Sequence, residues 1–199
     1  MLKKLLITAF LILPYFFYAQ KDTLPYNKKA EIIYDGKRYR KYNNYLTFGA
    51  GKNYSDVRRL LQSCINIDFQ FHLQREYFQL GLFMSGDDYL RNNNIQGHLC
   101  YGYRYEREKY NLAGFIGPSY SYFVTAFTDT SGITSPVINN TMGGYVCIQG
   151  VYKVKYDVGI GLELFGDFSP LQKIAGVKLI VFFSGAYRGV KRGFKTKPK

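Results

Sequence analysis

Two histidines, three cysteines and a scatter of carboxylates are the residues of this 199-residue chain whose types could do chemistry. No C-x-x-C or H-x-x-x-H spacing joins the cysteines and histidines, so a closed zinc site would need scattered ligands; no metal and no other cofactor is expected. His98, with Ser85 or Ser119 and with Asp87 or Asp88, supplies the types for a nucleophile, a base and an orienting carboxylate, a set that transfers acyl groups. No local His/Ser signature accompanies it, and such a set works only through mutual hydrogen-bond geometry. The remaining candidates, Asp68, His72, Arg104, Glu106, Asp157, Glu163 and Lys178, follow no motif spacing either. They share a place in segments of alternating polarity, and those segments decide what they can do.

In residues 65–74, Ile65, Ile67, Phe69, Phe71 and Leu73 alternate with Asn66, Asp68, Gln70, His72 and Gln74. A period of two describes a strand with one dry and one wet side. Ten such residues at ~3.3 Å each, tilted by roughly 40°, rise about 25 Å, the height of a transmembrane barrel's apolar band. Phe78, Leu80, Leu82 and Met84 oppose Gln79, Gly81, Phe83 and Ser85; Leu99, Tyr101, Tyr103 and Tyr105 oppose His98, Cys100, Gly102, Arg104 and Glu106. Tyr110, Leu112, Ile116, Tyr120 and Tyr122 oppose Asn111, Ala113, Gly117, Ser119 and Ser121, and Tyr156, Val158, Ile160, Leu162 and Leu164 oppose Asp157, Gly159, Gly161 and Glu163. Weaker versions at residues 45–53, 145–153 and 177–187 bring the number of segments to eight. Pro118 interrupts the fifth and predicts a bulge or an early end there.

Short links (Arg75-Glu76, Glu108-Lys109 and residues 153–155) alternate with long ones over residues 54–63, 86–94, 124–142 and 167–175, as in outer-membrane barrels. Pairing Gln74 with Tyr77, Arg107 with Tyr110 and Tyr152 with Tyr156 keeps the faces consistent across each short turn. Charges inside the segments lie on the small, Gly-rich face, so that face lines a narrow interior and the bulky Leu, Ile, Phe and Tyr face meets lipid. A soluble lipocalin-like barrel would need the reverse. The fold expected is all-β: an eight-stranded antiparallel up-and-down transmembrane β-barrel. Tyr105, Tyr110, Tyr152, Tyr156 and Tyr187 form an aromatic belt at the short-turn rim.

Asp68, His72, His98, Arg104, Glu106, Asp157, Glu163 and Lys178 then face a lumen too narrow to hydrate them all, so they pair. Two clusters are expected: Glu163 opposite Lys178, and Arg104 near Asp157 and Glu106. Structural filling is the main reading, with a gate or proton path as the alternative. Cys64, Cys100 and Cys147 point inward as small filler, with a cross-lumen Cys100–Cys147 bridge as the alternative.

Lys3 and Lys4, the apolar run at residues 5–13 and Ala19 read as a secretory signal peptide over residues 1–19, too short for a membrane helix of ~20 residues. Its ending, Tyr18-Ala19-Gln20, resembles the secretory signals of Bacteroidota envelope proteins. Residues 20–42 form a basic periplasmic segment with a small hairpin about Asp35-Gly36; residues 43–187 are the barrel, and residues 188–199 a basic periplasmic tail. The barrel region resembles the small eight-stranded outer-membrane proteins of the OmpA and OmpX type in architecture, which implies an outer-membrane location in a Gram-negative cell. Such barrels commonly end on an aromatic residue, whereas here twelve residues follow Tyr187.

The formal net charge of +13 invites a nucleic-acid reading that its distribution removes. Residues 42–187 hold 12 Lys/Arg and 11 Asp/Glu, while residues 21–41 hold seven basic and three acidic side chains and residues 188–199 six basic and none acidic. Partners expected are outer-membrane lipid and lipopolysaccharide, then peptidoglycan or another envelope protein at the basic ends. Eight strands enclose side chains rather than a channel, so function falls to loops or ends. A non-enzymatic surface protein for adhesion, recognition or envelope support is the leading expectation. An accessory subunit of an envelope or secretion complex is the alternative; a lipid-modifying enzyme ranks below both.

Overall fold

The structure, a computed structural model, describes residues 31–74, 76–88, 91–128 and 134–190. Eight strands close into a barrel: β3 (Tyr45–Ser55), β4 (Leu60–Leu73), β5 (Glu76–Asp88), β6 (Arg91–Glu106), β7 (Tyr110–Thr128), β8 (Thr134–Lys155), β9 (Val158–Phe168) and β10 (Lys173–Ser184). Each runs antiparallel to its chain neighbours, and β10 returns to pair with β3, so every wall strand has two partners. Closure is what removes the open edges that a free sheet would expose.

Period-two polarity sets the faces. Along β4, Ile65, Ile67 and Phe69 are exposed while Asn66, Asp68 and Gln70 are buried, and the same alternation runs through the other wall strands. Leu80, Leu82, Leu99, Leu112, Ile148, Ile160, Leu162, Leu164 and Leu179 all stand on the outside. The inner face is not uniformly small, however. Phe83, Phe115, Tyr145, Phe165 and Phe182 are buried inside. Most of these rings register against a glycine on the next strand: Phe115 with Gly102, Tyr145 with Gly117, Phe165 with Gly176 and Phe182 with Gly159. The glycines leave room for rings, which is how a narrow barrel is filled by alternating large and small residues.

Several boundaries differ from the sequence expectation. The long links at residues 54–63, 86–94 and 167–175 shorten because the strands continue as hairpins past the apolar band, leaving connections such as residues 56–59 and 169–172. Most of residues 124–142 likewise belongs to β7 and β8. Pro118 neither bulges nor ends β7. His98 pairs with Ser119 and Tyr101 with Ile116 in one register, and the β6 ladder skips only the two positions opposite Pro118 and Gly117. On the β8 side Pro118 pairs with Gly144, its ring exposed on the outer wall.

At the short-turn end Arg107 pairs with Tyr110 as expected, the Arg107 N–H donating to the Tyr110 carbonyl at 2.8 Å. The first turn shifts by one pair: Leu73 faces Glu76 and His72 faces Tyr77, with Gln74 left-handed at φ 57°. A shift of one residue on each arm preserves the faces. In the third, Tyr152 pairs with Ile160 rather than Tyr156, because β8 runs on through a bulge at Lys153/Lys155 and turns at Tyr156-Asp157.

The chain ends build a second, three-stranded sheet: β1 (Glu31–Tyr34), β2 (Lys37–Arg40) and β11 (Tyr187–Val190), in the order β1-β2-β11. Asp35 and Gly36, at φ 49° and 70°, make the tight hairpin turn in which both central residues need positive φ. Tyr187 therefore belongs to this cap and not to the last wall strand, which ends at Ser184. The signal segment at residues 1–19 and the tail beyond residue 190 lie outside the described residues.

Candidate functional site

The lumen holds its charges in layers. In the middle, Lys178 on β10 and Glu163 on β9 are register partners, and Lys178 Nζ lies 2.5 Å from Glu163 Oε1 with both side chains fully buried. Tyr145 Oη donates to the same oxygen at 2.9 Å and Gln149 Nε2 to Glu163 Oε2 at 2.8 Å. The ammonium also sits 4.2 Å from the Phe165 ring centroid. A buried carboxylate needs this many donors, because burial without them costs several kcal/mol, of order 3–5 for an uncompensated charge.

Asp68 and His98 form a second pair, Oδ1 to Nε2 at 3.1 Å, both fully buried. Their strands, β4 and β6, are not neighbours; β5 runs between them and presents Gly81, in register with both. A Cβ on Gly81 would fall on the Asp68 carboxylate and the His98 ring, so the pair exists because that position has no side chain. Asn66 Nδ2 donates to Asp68, and the His98 ring stacks on Tyr145 at 4.0 Å.

The third layer lies near the short turns. Arg104 Nη2 reaches Glu106 Oε1 at 2.9 Å, Nε donates to Asn111 Oδ1 at 2.8 Å, and Nη1 donates to Asn43 Oδ1 at 3.2 Å. Its guanidinium lies over the Tyr45 ring at 4.4 Å. Asn43 is the residue from which the cap departs, so Arg104 ties the lumen to the cap's root. Glu106 is shared with Lys153, which also donates to the Arg107 carbonyl at 3.2 Å and lies 3.9 Å from the Tyr156 ring centroid.

Asp157 does not join this cluster. It is half-buried in the β8–β9 turn, where its carbonyl accepts the Ser184 N–H at 2.8 Å. Lys153, which the sequence reading did not single out, stands beside Glu106 instead; counting by twos from inward Cys147 is the signal that could have found it. His72 stands at the rim, its Nδ1 3.3 Å from the Gln74 carbonyl and its ring near Tyr42 and Tyr77. Sequence reasoning also missed Asp167, buried and bonded by Ser119 and Ser121.

Among the described residues these partners leave no Ser–His couple. Ser119 Oγ is spent on Asp167, Ser85 Oγ has no hydrogen-bond partner, and His98 Nε2 faces Asp68 and Gln79. Cys64, Cys100 and Cys147 are buried free thiols, so Cys100 and Cys147 form no bridge.

Tyr105, Tyr110, Tyr152 and Tyr187 are exposed near the short-turn end, and Tyr110 meets Tyr152 edge-on at 5.6 Å. Tyr156 departs from the expected belt. It is completely buried beneath the cap, its ring tilted against Tyr39 at 4.5 Å between centroids, with Tyr34, Ile32 and Ala186 around it. Strand β8 turns at Tyr156 instead of before it, which swings the ring over the barrel's end. Burial, with Asp157 close by, raises the Tyr39 phenol above its ordinary value.

At the opposite mouth the β7–β8 hairpin outgrows its neighbours. Pairing of β7 with β6 stops at Phe123 and pairing of β8 with β9 stops at Gly144, so residues 124–128 pair only with residues 134–138, and residues 134–143 pair on one side only, with β7. Arg58, in the β3–β4 turn, crosses the mouth and donates to the Val124 carbonyl at 2.8 Å, holding the hairpin at its base.

No protein-family model and no curated protein matches the sequence. Solved structures do match. The N-terminal β-barrel domain of Pseudomonas aeruginosa OprF superposes with a TM-score of 0.50 at 11% identity, over 72% of this chain and 100% of that one. Ail, the attachment invasion locus protein of Yersinia pestis, gives 0.50 at 8% identity, over 73% and 97%. This chain has the fold of the small eight-stranded outer-membrane β-barrels. In such barrels an apolar wall of this kind meets lipid, and here layers of side chains fill the interior.

Because the layers are stacked, opening one leaves the barrel shut. Arg104→Ala is expected to add no conductance in a planar bilayer, since Lys178, Glu163, Phe83 and Phe165 still fill the middle. Stepwise currents from that variant and none from the parent would instead make Arg104 a gate.

Proposed function

We propose that this protein is an integral outer-membrane β-barrel, non-enzymatic, whose protruding β7–β8 hairpin is a recognition surface on the cell exterior while the cap faces the periplasm. The observation that carries this reading is the free edge of β8. Ten successive residues, 134–143, have no strand on their outer side, and none of them is charged. Val137, Ile138 and Met142 are exposed along it. Natural edge strands are usually short or guarded by charge; a long neutral edge offers backbone N–H and C=O groups to an extended segment of another protein. Pro136, the one residue there without an N–H, limits how far such pairing runs. Ail, an attachment protein with the same barrel, is consistent with a surface role, and the plugged lumen supports a role outside transport.

Cells carrying the protein are expected to adhere to a protein-coated surface above an empty-vector strain. Val137→Lys with Asn139→Lys, which puts two charges on the free edge, should return adhesion to background while heat-modifiable gel migration is kept. Equal adhesion by parent and double variant would overturn the recognition role. Loss of the heat-dependent shift in the parent itself would overturn the barrel.

A further inference from the structure

We infer that the outer face of the β1–β2–β11 cap is a docking surface for a carboxylate-bearing polymer of the cell-wall type, lying across the barrel axis on the short-turn side. Alternation within the cap separates two faces. Tyr39, Ile32 and Tyr34 pack on Tyr156 and Ala186 against the barrel's end. Glu31, Ile33, Arg38 and Arg40 fall on the opposite face and are exposed; Arg188, also exposed, is the extra residue where β11 steps from pairing Tyr39 to pairing Arg38. Arg38 lies 3.5 Å from Glu31, the face's one carboxylate, which leaves the face with more positive than negative groups.

The charge of the chain concentrates here. Residues 21–41 and 188–199 carry 13 basic and three acidic side chains, a net of +10, against +1 for residues 42–187. The basic residues that flank the cap in sequence join it through its two outer strands, β1 at Glu31 and β11 at Val190. A concentration of this kind draws polyanions and is screened by salt over a Debye length of about 8–10 Å.

Two features select the partner's chemistry. The charges on the folded face are arginines, whose planar guanidinium fork matches a carboxylate with two parallel hydrogen bonds. Arg38 and Arg40 stand two residues apart on one side of a strand, about 6.6 Å, a spacing for successive anionic groups along a polymer. Position excludes the surrounding leaflet as the main partner. Lipid headgroups ring the wall at the level of Tyr105, Tyr110 and Tyr152, whereas this face sits over the barrel's mouth and looks away from it. The inference rests on the proposed membrane placement for the compartment the cap faces and for the level of the lipid headgroups.

The test uses the full-length protein in zwitterionic detergent micelles, mixed with insoluble peptidoglycan sacculi and pelleted. The wild type is expected to co-sediment at low salt, to be released as salt rises, and to fail with sacculi whose carboxylates have been amidated. The triple variant Arg38→Gln, Arg40→Gln, Arg188→Gln should bind about fivefold more weakly for each arginine removed while still showing heat-modifiable migration. A second variant, with Lys191, Arg192, Lys195, Lys197 and Lys199 all changed to Gln, separates tail from cap. No pelleting by the wild type, equal pelleting with amidated sacculi, or full loss in the tail variant with none in the cap variant would each overturn the inference. Flotation with phosphatidylglycerol vesicles that is lost in the cap variant, without sacculus binding, would reassign the face to lipid. Absence of the heat-dependent shift in the wild type would mark failure of the barrel reading instead.

Discussion

Lys178→Met should destabilise the barrel by about 3–5 kcal/mol, the largest loss expected from any single lumen substitution. Methionine nearly matches lysine in length and removes the ammonium while leaving the Glu163 carboxylate in place. That carboxylate is fully buried and keeps only Tyr145 and Gln149 as donors. The cost is the penalty of a stranded charge more than the worth of the pair, and the second variant shows this. Lys178→Met combined with Glu163→Gln removes both charges and retains the side-chain volumes, so most of the loss should be recovered. Urea-unfolding midpoints in lipid vesicles measure both. If the single and double variants are equally destabilised, the pair contributes through packing around Phe165 and not through charge.

The second large effect concerns the wall. Leu162 and Val154 are similarly exposed, at 57% and 61%, but Leu162 lies at the middle of β9 and Val154 next to a short turn. In water, arginine at either position would change stability by about 0.5 kcal/mol or less, because neither side chain is in the core. In a bilayer the two separate: Leu162→Arg should cost about 2–4 kcal/mol at the hydrocarbon centre, and Val154→Arg about 0–1 near the interface. Unfolding midpoints for the two variants, refolded into the same vesicles, measure the difference. Equal, near-zero costs would mean that solvent and not hydrocarbon meets the wall.

The faces of the wall strands were legible residue by residue, because a strand sends successive side chains to opposite sides and each segment carries that record locally. The alternation of Ile65 to Leu73 against Asn66 to His72 needed no partner strand to be read. Barrel class, lumen-facing charges and the Glu163–Lys178 pairing followed from it, the last because two adjacent strands share one loop, residues 167–175, from which to count. Pro118 misled, since the missing N–H costs ladder bonds without shifting register. The loop lengths misled as well. Polar residues above the apolar band read as loop, yet a hairpin pairs its backbone whether or not its side chains are greasy.

By itself, then, the sequence determined which side chains meet lipid and which fill the interior, and it confined the excess charge to the two ends. Tertiary structure alone decided the lumen contacts that reach past a neighbouring strand or depend on where a turn falls. Asp68 reaches His98 across a third strand, over the gap left by Gly81, and Lys153 displaces Asp157 beside Glu106 because the β8–β9 turn falls at Tyr156. It also decided that the two chain ends pair as β2 and β11 and bury Tyr156 beneath them. Contacts between strands that are not neighbours depend on barrel closure and stagger, which no strand encodes alone.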